Sequence, residues 1–313
     1  MIPNKETITQ AAERILPYIH RTPLITSKRI NKIFNADIYF KCENLQKAGA
    51  FKTRGAINAV FSLNEHEFKN GVATHSSGNH AQALARAASI RRIKAYIVMP
   101  EDSSKVKIEA VKSYGGIITF CKPTLEARET TLALILEKTK AIEIHPYDNY
   151  KIIAGQATAA KEFFEQIPEI KTIIVPVGGG GLLSGTALAA HYFSSDTRVI
   201  AVEPEQANDA FKSFYSGSFV PSLNPDTIAD GLRTSLGTKT FPIIQKHVHQ
   251  IVTVSEKSII EAMRLVWEST KMIIEASSAV PIAALLEKKF NFEGQKIGIV
   301  ISGGNVDFDN LPW

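Results

Sequence analysis

The chain reads as an α/β protein built on largely parallel sheets, and three observations carry that reading. Segments of helical period alternate with short apolar, strand-like runs along its length. The stretch Val72–Phe120 sets a strand-helix-strand-helix-strand pattern into one compact run. Further on, Ile173-Ile174-Val175-Pro176-Val177 ends in four glycines, Gly178 to Gly181, and a helical pattern follows at Leu182–Phe193. At 313 residues there is enough chain for a full core and for two lobes rather than one.

Taken in order, strands are expected at Ala95–Met99, Ile117–Phe120, Lys171–Val177, Arg198–Val202, Gln250–Val254 and Lys296–Ile301. Between the first of these and the strand before it, Asn79–Ile90 places Ala81, Leu84, Ala85 and Ala88 on one helical face. Val106–Tyr114 is a helix stopped by Gly115-Gly116. Thr124–Lys138 and Tyr150–Ile167 are further helices, and Ser255–Lys271 opens on Ser255 as its N-cap. No internal repeat or low-complexity linker interrupts the pattern. The expected domains are a small mobile lobe at 66–144, inserted into a larger lobe made of 1–65 and 145–313.

Composition narrows the function classes. Apolar residues make up 44% and charged residues 21%, as in a soluble globular enzyme. Net charge is +5, but the basic residues are scattered, and the densest cluster, Arg91-Arg92-Ile93-Lys94, reads as a helix end or solvated turn. No nucleic-acid partner is expected. No stretch approaches the roughly 18 apolar residues of a membrane span, so no membrane partner is expected either. Cys42 and Cys121 belong to no CxxC pair and cannot form a disulfide framework for this length. With no secretory pattern in MIPNKETITQ, a cytoplasmic location is expected.

The chemistry is concentrated in four places. Strand, glycine turn and helix N-terminus at Gly178–Gly181 make an anion cradle, because main-chain N–H groups converge where no side chain blocks approach. Four successive glycines cost about 0.5–1 kcal/mol each relative to alanine in regular structure, more than a tight turn requires. The run fits neither GxGxxG nor GxxxxGK[ST], although Glu203 stands near where a ribose-binding acid would, so a nucleotide-binding oxidoreductase is the distant alternative. Lys52, among the small residues of KAGAFKTRGA, is a candidate nucleophile once its ammonium is destabilised, pyridoxal phosphate being the best-known aldehyde partner. In His75-Ser76-Ser77-Gly78-Asn79-His80 a strand gives way to a helix, a place that suits either a carboxylate or a simple cap. Ser302, after the last strand, is either a turn residue or a partner for a ring atom. His247 and His249 lack a nearby third ligand and read as a surface pair.

Lys52 in AFKTRGA, SSGNHAQA, VGGGG and SGGN occur in the order of the fold-type II pyridoxal-phosphate enzymes, and the chain resembles serine racemase and the serine/threonine dehydratases from residue 5 to its C-terminus. Ile152–Gln156, Ile228–Leu232 and Leu265–Glu268 add to the resemblance. It implies a two-lobed, tryptophan synthase β-like fold, each lobe an open, mostly parallel sheet flanked by helices. It also implies a homodimer, a small amino acid as substrate, and pyridoxal 5'-phosphate joined to Lys52. Phe51 and Asn79 would contact the ring, Asn79 through its 3-hydroxyl. Gly178, Gly179, Gly180 and Gly181 would bind the phosphate, and Ser302 would meet the pyridine nitrogen. A neutral serine there does not enforce ring protonation, which favours β-elimination or quick reprotonation over transamination. The substrate carboxylate would rest on Ser76, Ser77, Asn79 and His80, with Arg128 as a further contact.

The resemblance leaves two reactions open. Elimination from serine, threonine or 3-hydroxyaspartate needs Lys52 alone as base at Cα, whereas racemisation of serine needs a second proton donor, Ser77, on the opposite face. Glu203, the carbonyl of Ala207 and Asp209 match the family's divalent-metal position, and oxygen ligands suit Mg²⁺, Ca²⁺ or Mn²⁺. Three departures blur the choice: Ala50 before Phe51, Tyr147 in HPYDN, and Glu275-Ala276-Ser277-Ser278. The chain ends soon after SGGN, so a C-terminal effector domain with feedback inhibition is not expected.

Overall fold

The computed structural model describes residues 1–76, 78–103 and 105–313. Among these the strands are β1 (Leu24–Ile25), β2 (Asp37–Cys42), β3 (Val72–His75), β4 (Ala95–Pro100), β5 (Ile117–Cys121), β6 (Ile142–Glu143), β7 (Thr172–Pro176), β8 (Arg198–Pro204), β9 (Gln250–Val254) and β10 (Lys296–Ile301). They form a six-stranded sheet, ordered β1-β2-β10-β7-β8-β9, and a four-stranded sheet, ordered β5-β4-β3-β6. Every pairing is parallel except β1 with β2. The α/β architecture of two open, mostly parallel sheets therefore holds.

The larger sheet is apolar on both faces, as a parallel sheet covered by helices must be. Along β7, Ile173 and Val175 join one buried cluster while Ile174 joins the cluster on the other side. The smaller sheet packs Ala81, Leu84, Ala85 and Ala88 of the Asn79–Arg91 helix against Val72, Ile97 and Met99. Burying each such Leu or Ile contributes about 1.5–3 kcal/mol.

Local signals behave as their chemistry requires. Ser255 caps the Glu256–Thr270 helix through the N–H of Ser258. Arg92 ends the Asn79–Arg91 helix at φ 59, while Arg91 donates to the carbonyls of Val60 and Leu63, so the basic cluster is a helix end. Cys42 and Cys121 are both free and buried. Helices at Lys52–Phe61 and Ala276–Leu286 lie outside the sequence expectation. Both are buried nearly all round, so no apolar–polar alternation marks them. No helix among the described residues is long and apolar enough to cross a membrane.

Each sheet contains a point where the order of strand addition reverses. In the larger one, β10 is inserted between β2 and β7, so the ends of β7 and β10 flank a switch point. In the smaller one, β6 returns beside β3, and the His80 ring meets Ile144 O just past β6. Ligand crevices in open α/β sheets form at such points.

Candidate active site

The glycine turn follows β7. Its last member, Gly181, begins the Gly181–Phe193 helix, and the first helical hydrogen bond is Ser184 N–H to Gly180 O at 2.8 Å. None of the main-chain N–H groups from Gly178 to Leu183 finds a protein acceptor among the described residues. Gly180 has φ 88, a left-handed conformation that side chains resist. A Cβ on Gly178 would lie 2.8 Å from Leu232 Cα, and one on Gly179 would lie 2.4 Å from the Tyr147 ring. The turn therefore presents bare donors at a helix N-terminus, as an anion requires.

Lys52 is the first residue of its helix, and the chain before it is tied to the end of β10. Phe51 N–H donates to Ser302 O at 3.0 Å, and Ala50 pairs with Gly303. The Lys52 Nζ donates to Pro146 O at 3.1 Å, one residue before the tyrosine that covers Gly179. Burial pushes this ammonium down to about 8, with the Glu275 carboxylate opposing. Its neighbours carry little positive charge. Burial holds His80 down to about 3 and His145 down to about 4, leaving both imidazoles neutral. An amine so placed is a nucleophile and a base near neutral pH.

Asn79 opens the Asn79–Arg91 helix and reaches the larger sheet. Its Nδ2 donates to both oxygens of Glu275, at 2.9 and 3.1 Å, while its Oδ1 accepts from Asn305 Nδ2 at 2.9 Å. Burial, reinforced by Asp230, pushes Glu275 up to about 7. Beside it, Ser278 Oγ takes the N–H of Gly303 at 2.8 Å and donates to Gly303 O at 2.7 Å. The buried Ser302 hydroxyl shares a hydrogen bond with Ser278 Oγ at 2.9 Å. Phe51 thus meets Ser302 directly, Lys52 reaches the glycine turn by way of Pro146 and Tyr147, and Asn79 reaches the end of β10 by way of Glu275. Glu275 and Ser278 join them, although the sequence pointed to that segment as a departure without giving it a role.

The remaining expected residues divide. Ser76 follows β3, with its N–H on Val98 O at 3.0 Å and its Oγ accepting from Gly78 N at 3.3 Å. Ser77 lies outside the described residues. The His80 ring turns inward, Nε2 against Ile144 O at 2.9 Å, which leaves only its main-chain N–H for the helix start. Arg128 sits on the Leu125–Thr139 helix within the electrostatic reach of His75, and its Nε is buried without a partner among the described residues. Glu203 accepts the N–H groups of Ala210 and Phe211 at 3.0 and 2.8 Å. Burial and the Asp209 charge push Glu203 well above the carboxylate range, and burial pushes Asp209 up to about 6. Asp209 Oδ1 is buried and unpaired among the described residues. Glu203 and Asp209 make a pair of carboxylates, and no cluster of three acidic, histidine or cysteine side chains able to hold a metal occurs among the described residues.

A destabilised amine, a row of free main-chain donors and a hydroxyl at the ends of two open sheets define an enzyme that holds an anionic carbonyl cofactor. Pyridoxal phosphate fits these residues: the unpaired N–H groups match its phosphate and Lys52 matches its aldehyde. The chain belongs to the pyridoxal-phosphate dependent enzyme family, whose model matches residues 15–303. It is 46% identical over 312 residues to a beta-hydroxyaspartate dehydratase of Paracoccus denitrificans, covering 100% of this chain and 99% of that one. It is 49% identical over 308 residues to a serine racemase of Dictyostelium discoideum, covering 97% and 95%. The solved structure of maize serine racemase superposes with a TM-score of 0.96 at 43% identity, covering 99% of this chain and 95% of that one. The nucleotide-binding alternative is set aside by this membership.

Proposed function

We propose that the protein is an ammonia-lyase of β-hydroxy amino acids, converting L-serine, L-threonine or 3-hydroxyaspartate to a 2-keto acid and ammonia. The observation that carries this reading is the Lys52 amine, brought down to about 8, with a glycine turn of free donors after β7 and a neutral serine hydroxyl after β10. Pyridoxal phosphate supplies an electron sink that loosens the Cα–H bond of the bound amino acid. Gly178 to Gly181 would hold the cofactor's phosphate through main-chain N–H groups, Phe51 and Asn79 would contact its ring, and Ser302 would meet its nitrogen. Ser76, Ser77, Asn79 and the His80 N–H take the substrate carboxylate, with Arg128 a further contact from the smaller lobe. Lys52 removes the Cα proton; that proton and the β-hydroxide depart together as water. The enamine left behind is hydrolysed to keto acid and ammonium.

Serine racemisation is the second reading, favoured by the serine at position 77, which would protonate Cα on the face opposite Lys52. Incubation with L-serine, measuring pyruvate and D-serine separately, decides between them. Pyruvate should exceed D-serine; the reverse overturns the ordering. Ser77→Ala should abolish D-serine formation while sparing pyruvate release, and equal loss of both would contradict the two-face assignment.

The same reading treats 66–144 as a mobile small domain over a cofactor-binding domain of 1–65 and 145–313. The Lys107–Asp230 ion pair and the Asn79–Glu275 hydrogen bonds span the two. A homodimer and a cytoplasmic location rest on the resemblance and on two free, buried cysteines. Glu203, the Ala207 carbonyl and Asp209 are proposed to hold Mg²⁺, Ca²⁺ or Mn²⁺, since two packed carboxylates with one unpaired oxygen suit a hard cation. A cation at about 100 times its Kd stabilises by about 2.7 kcal/mol. Chelation should then lower Tm by about 4 °C. A Tm that ignores both chelator and added cation would remove the site.

A further inference from the structure

Directly behind Lys52 lies a group of charges that the reaction does not use. Arg54 is wholly buried and every guanidinium N–H is engaged. Nε and Nη2 donate to the two oxygens of Glu43 at 2.7 and 2.8 Å. Nη1 and Nη2 donate to the two oxygens of Glu162 at 2.7 and 2.8 Å, and Nη1 also reaches Thr158 Oγ1 at 3.2 Å. Lys41, equally buried, completes the neutral set with contacts of 2.9 Å each to Glu162, Gln166 Oε1 and Thr22 O. Burial pushes Lys41 down, with Glu162 opposing. Such a network rarely stabilises a fold more than apolar side chains of equal volume would. What it does supply is fixed geometry, because two forked pairs meet one planar group.

The backbone beside it is equally constrained. A Cβ on Gly155 would lie 2.6 Å from Arg54 O and from Gly55 Cα. The lysine helix and the Tyr150–Gln166 helix therefore touch main chain to main chain. A Cβ on Gly185 would lie 2.6 Å from Ala157 N, so the second helix meets the Gly181–Phe193 helix in the same manner. Three helices are stacked without intervening side chains, with the amine at the start of the first and the phosphate turn at the start of the third.

We propose that Arg54 is a positioning residue for Lys52: its saturated guanidinium locks the lysine helix onto the Tyr150–Gln166 helix and thereby sets the distance from the amine to the phosphate turn. This rests on Lys52 being the cofactor amine. Charge alone does not suffice, because a lysine in place of Arg54 offers three donors from one point and cannot fork to two carboxylates. A reacting group displaced by about 1 Å loses on the order of 100-fold in rate.

Two ligands separate position from stability. Pyridoxal phosphate reads the turn and the amine together; pyridoxine phosphate, with an alcohol in place of the aldehyde, reads the turn alone. In full-length protein freed of cofactor, Arg54→Lys should weaken pyridoxal phosphate by about tenfold or more, with pyridoxine phosphate held within about twofold. The rate of hydride-trapped adduct formation on Lys52 should fall in parallel. A merely structural role would weaken both ligands by the same factor, and an unchanged ratio overturns the proposal. Should Arg54→Lys fail to fold, Thr158→Val removes one hydrogen bond from the same guanidinium. It should lower the ratio by about threefold, roughly the worth of one modest hydrogen bond, and an unchanged ratio again overturns the assignment. If the unaltered protein bound both ligands equally and gave no adduct on Lys52, the reading of Lys52 itself would fall, and Arg54's role with it.

Discussion

Lys52→Ala should lose at least about 10³-fold in kcat/KM for keto-acid formation, since one side chain both attaches the cofactor and moves the Cα proton. The altered protein should lack the absorbance near ~410–420 nm that borohydride abolishes, and mass spectrometry after reduction should find no adduct at this position. The unaltered protein carries a pH signature of the same group. Only the unprotonated amine attacks an aldehyde, and burial brings it down to about 8. At pH 7 about a tenth of the side chains are then reactive, against fewer than about one in a thousand for a free lysine near 10.4. Reconstitution of cofactor-free protein should therefore accelerate about tenfold per pH unit below 8 and level off above it. Stability follows the opposite member of the linkage. The unfolded chain keeps the Lys52 proton up to about 10.4, so the folded state gains stability relative to Lys52→Ala as pH rises from 8 toward that value. An adduct that survives in the alanine protein, or a reconstitution rate flat across pH 6–8, would take Lys52 out of the chemistry.

The legible and illegible parts of this molecule differ in one physical respect. Gly178–Gly181 and Lys52 could be found because their signal is local: an improbable run of glycines after an apolar strand, and a lysine enclosed by small residues. The two sheets could be anticipated because helix and strand periods differ within a window of a dozen residues. Nothing local marks Glu275, whose partner Asn79 stands 196 residues earlier in the chain. Arg54 likewise meets Glu162 across 108 residues, and from sequence it is one more basic side chain. The lysine helix itself is concealed for a related reason. It is buried from Thr53 to Val60, so it has no solvent face to impose a period. Residues chosen for contacts across the fold become visible only once the strand order has brought β10 between β2 and β7.

Gly180→Ala should weaken pyridoxal phosphate by about 10–100-fold, the worth of one hydrogen bond to a charged group at about 1.5–3 kcal/mol. Two effects combine at this residue. Its φ of 88 lies where a Cβ is resisted, at a cost of about 1–2 kcal/mol. The added carbon would also lie 2.8 Å from both Ile244 Cδ1 and Thr240 Oγ1. Thr240 cannot yield freely, because its hydroxyl takes Gly237 N–H at 2.8 Å and donates to Gly179 O at 2.9 Å. The turn must therefore give way, and its N–H groups lose their common focus. Gly217→Ala is the matched control: φ there is 69, yet nothing lies within 4 Å of the added carbon. That variant should lose a similar increment of stability from backbone strain while keeping its affinity for the cofactor. Inorganic phosphate, as a competitor, should weaken in Gly180→Ala and not in Gly217→Ala. If the two variants lost stability alike and both kept full cofactor affinity, the free donors after β7 would not be the anion site, and the phosphate would have to be sought at another helix start in the cleft.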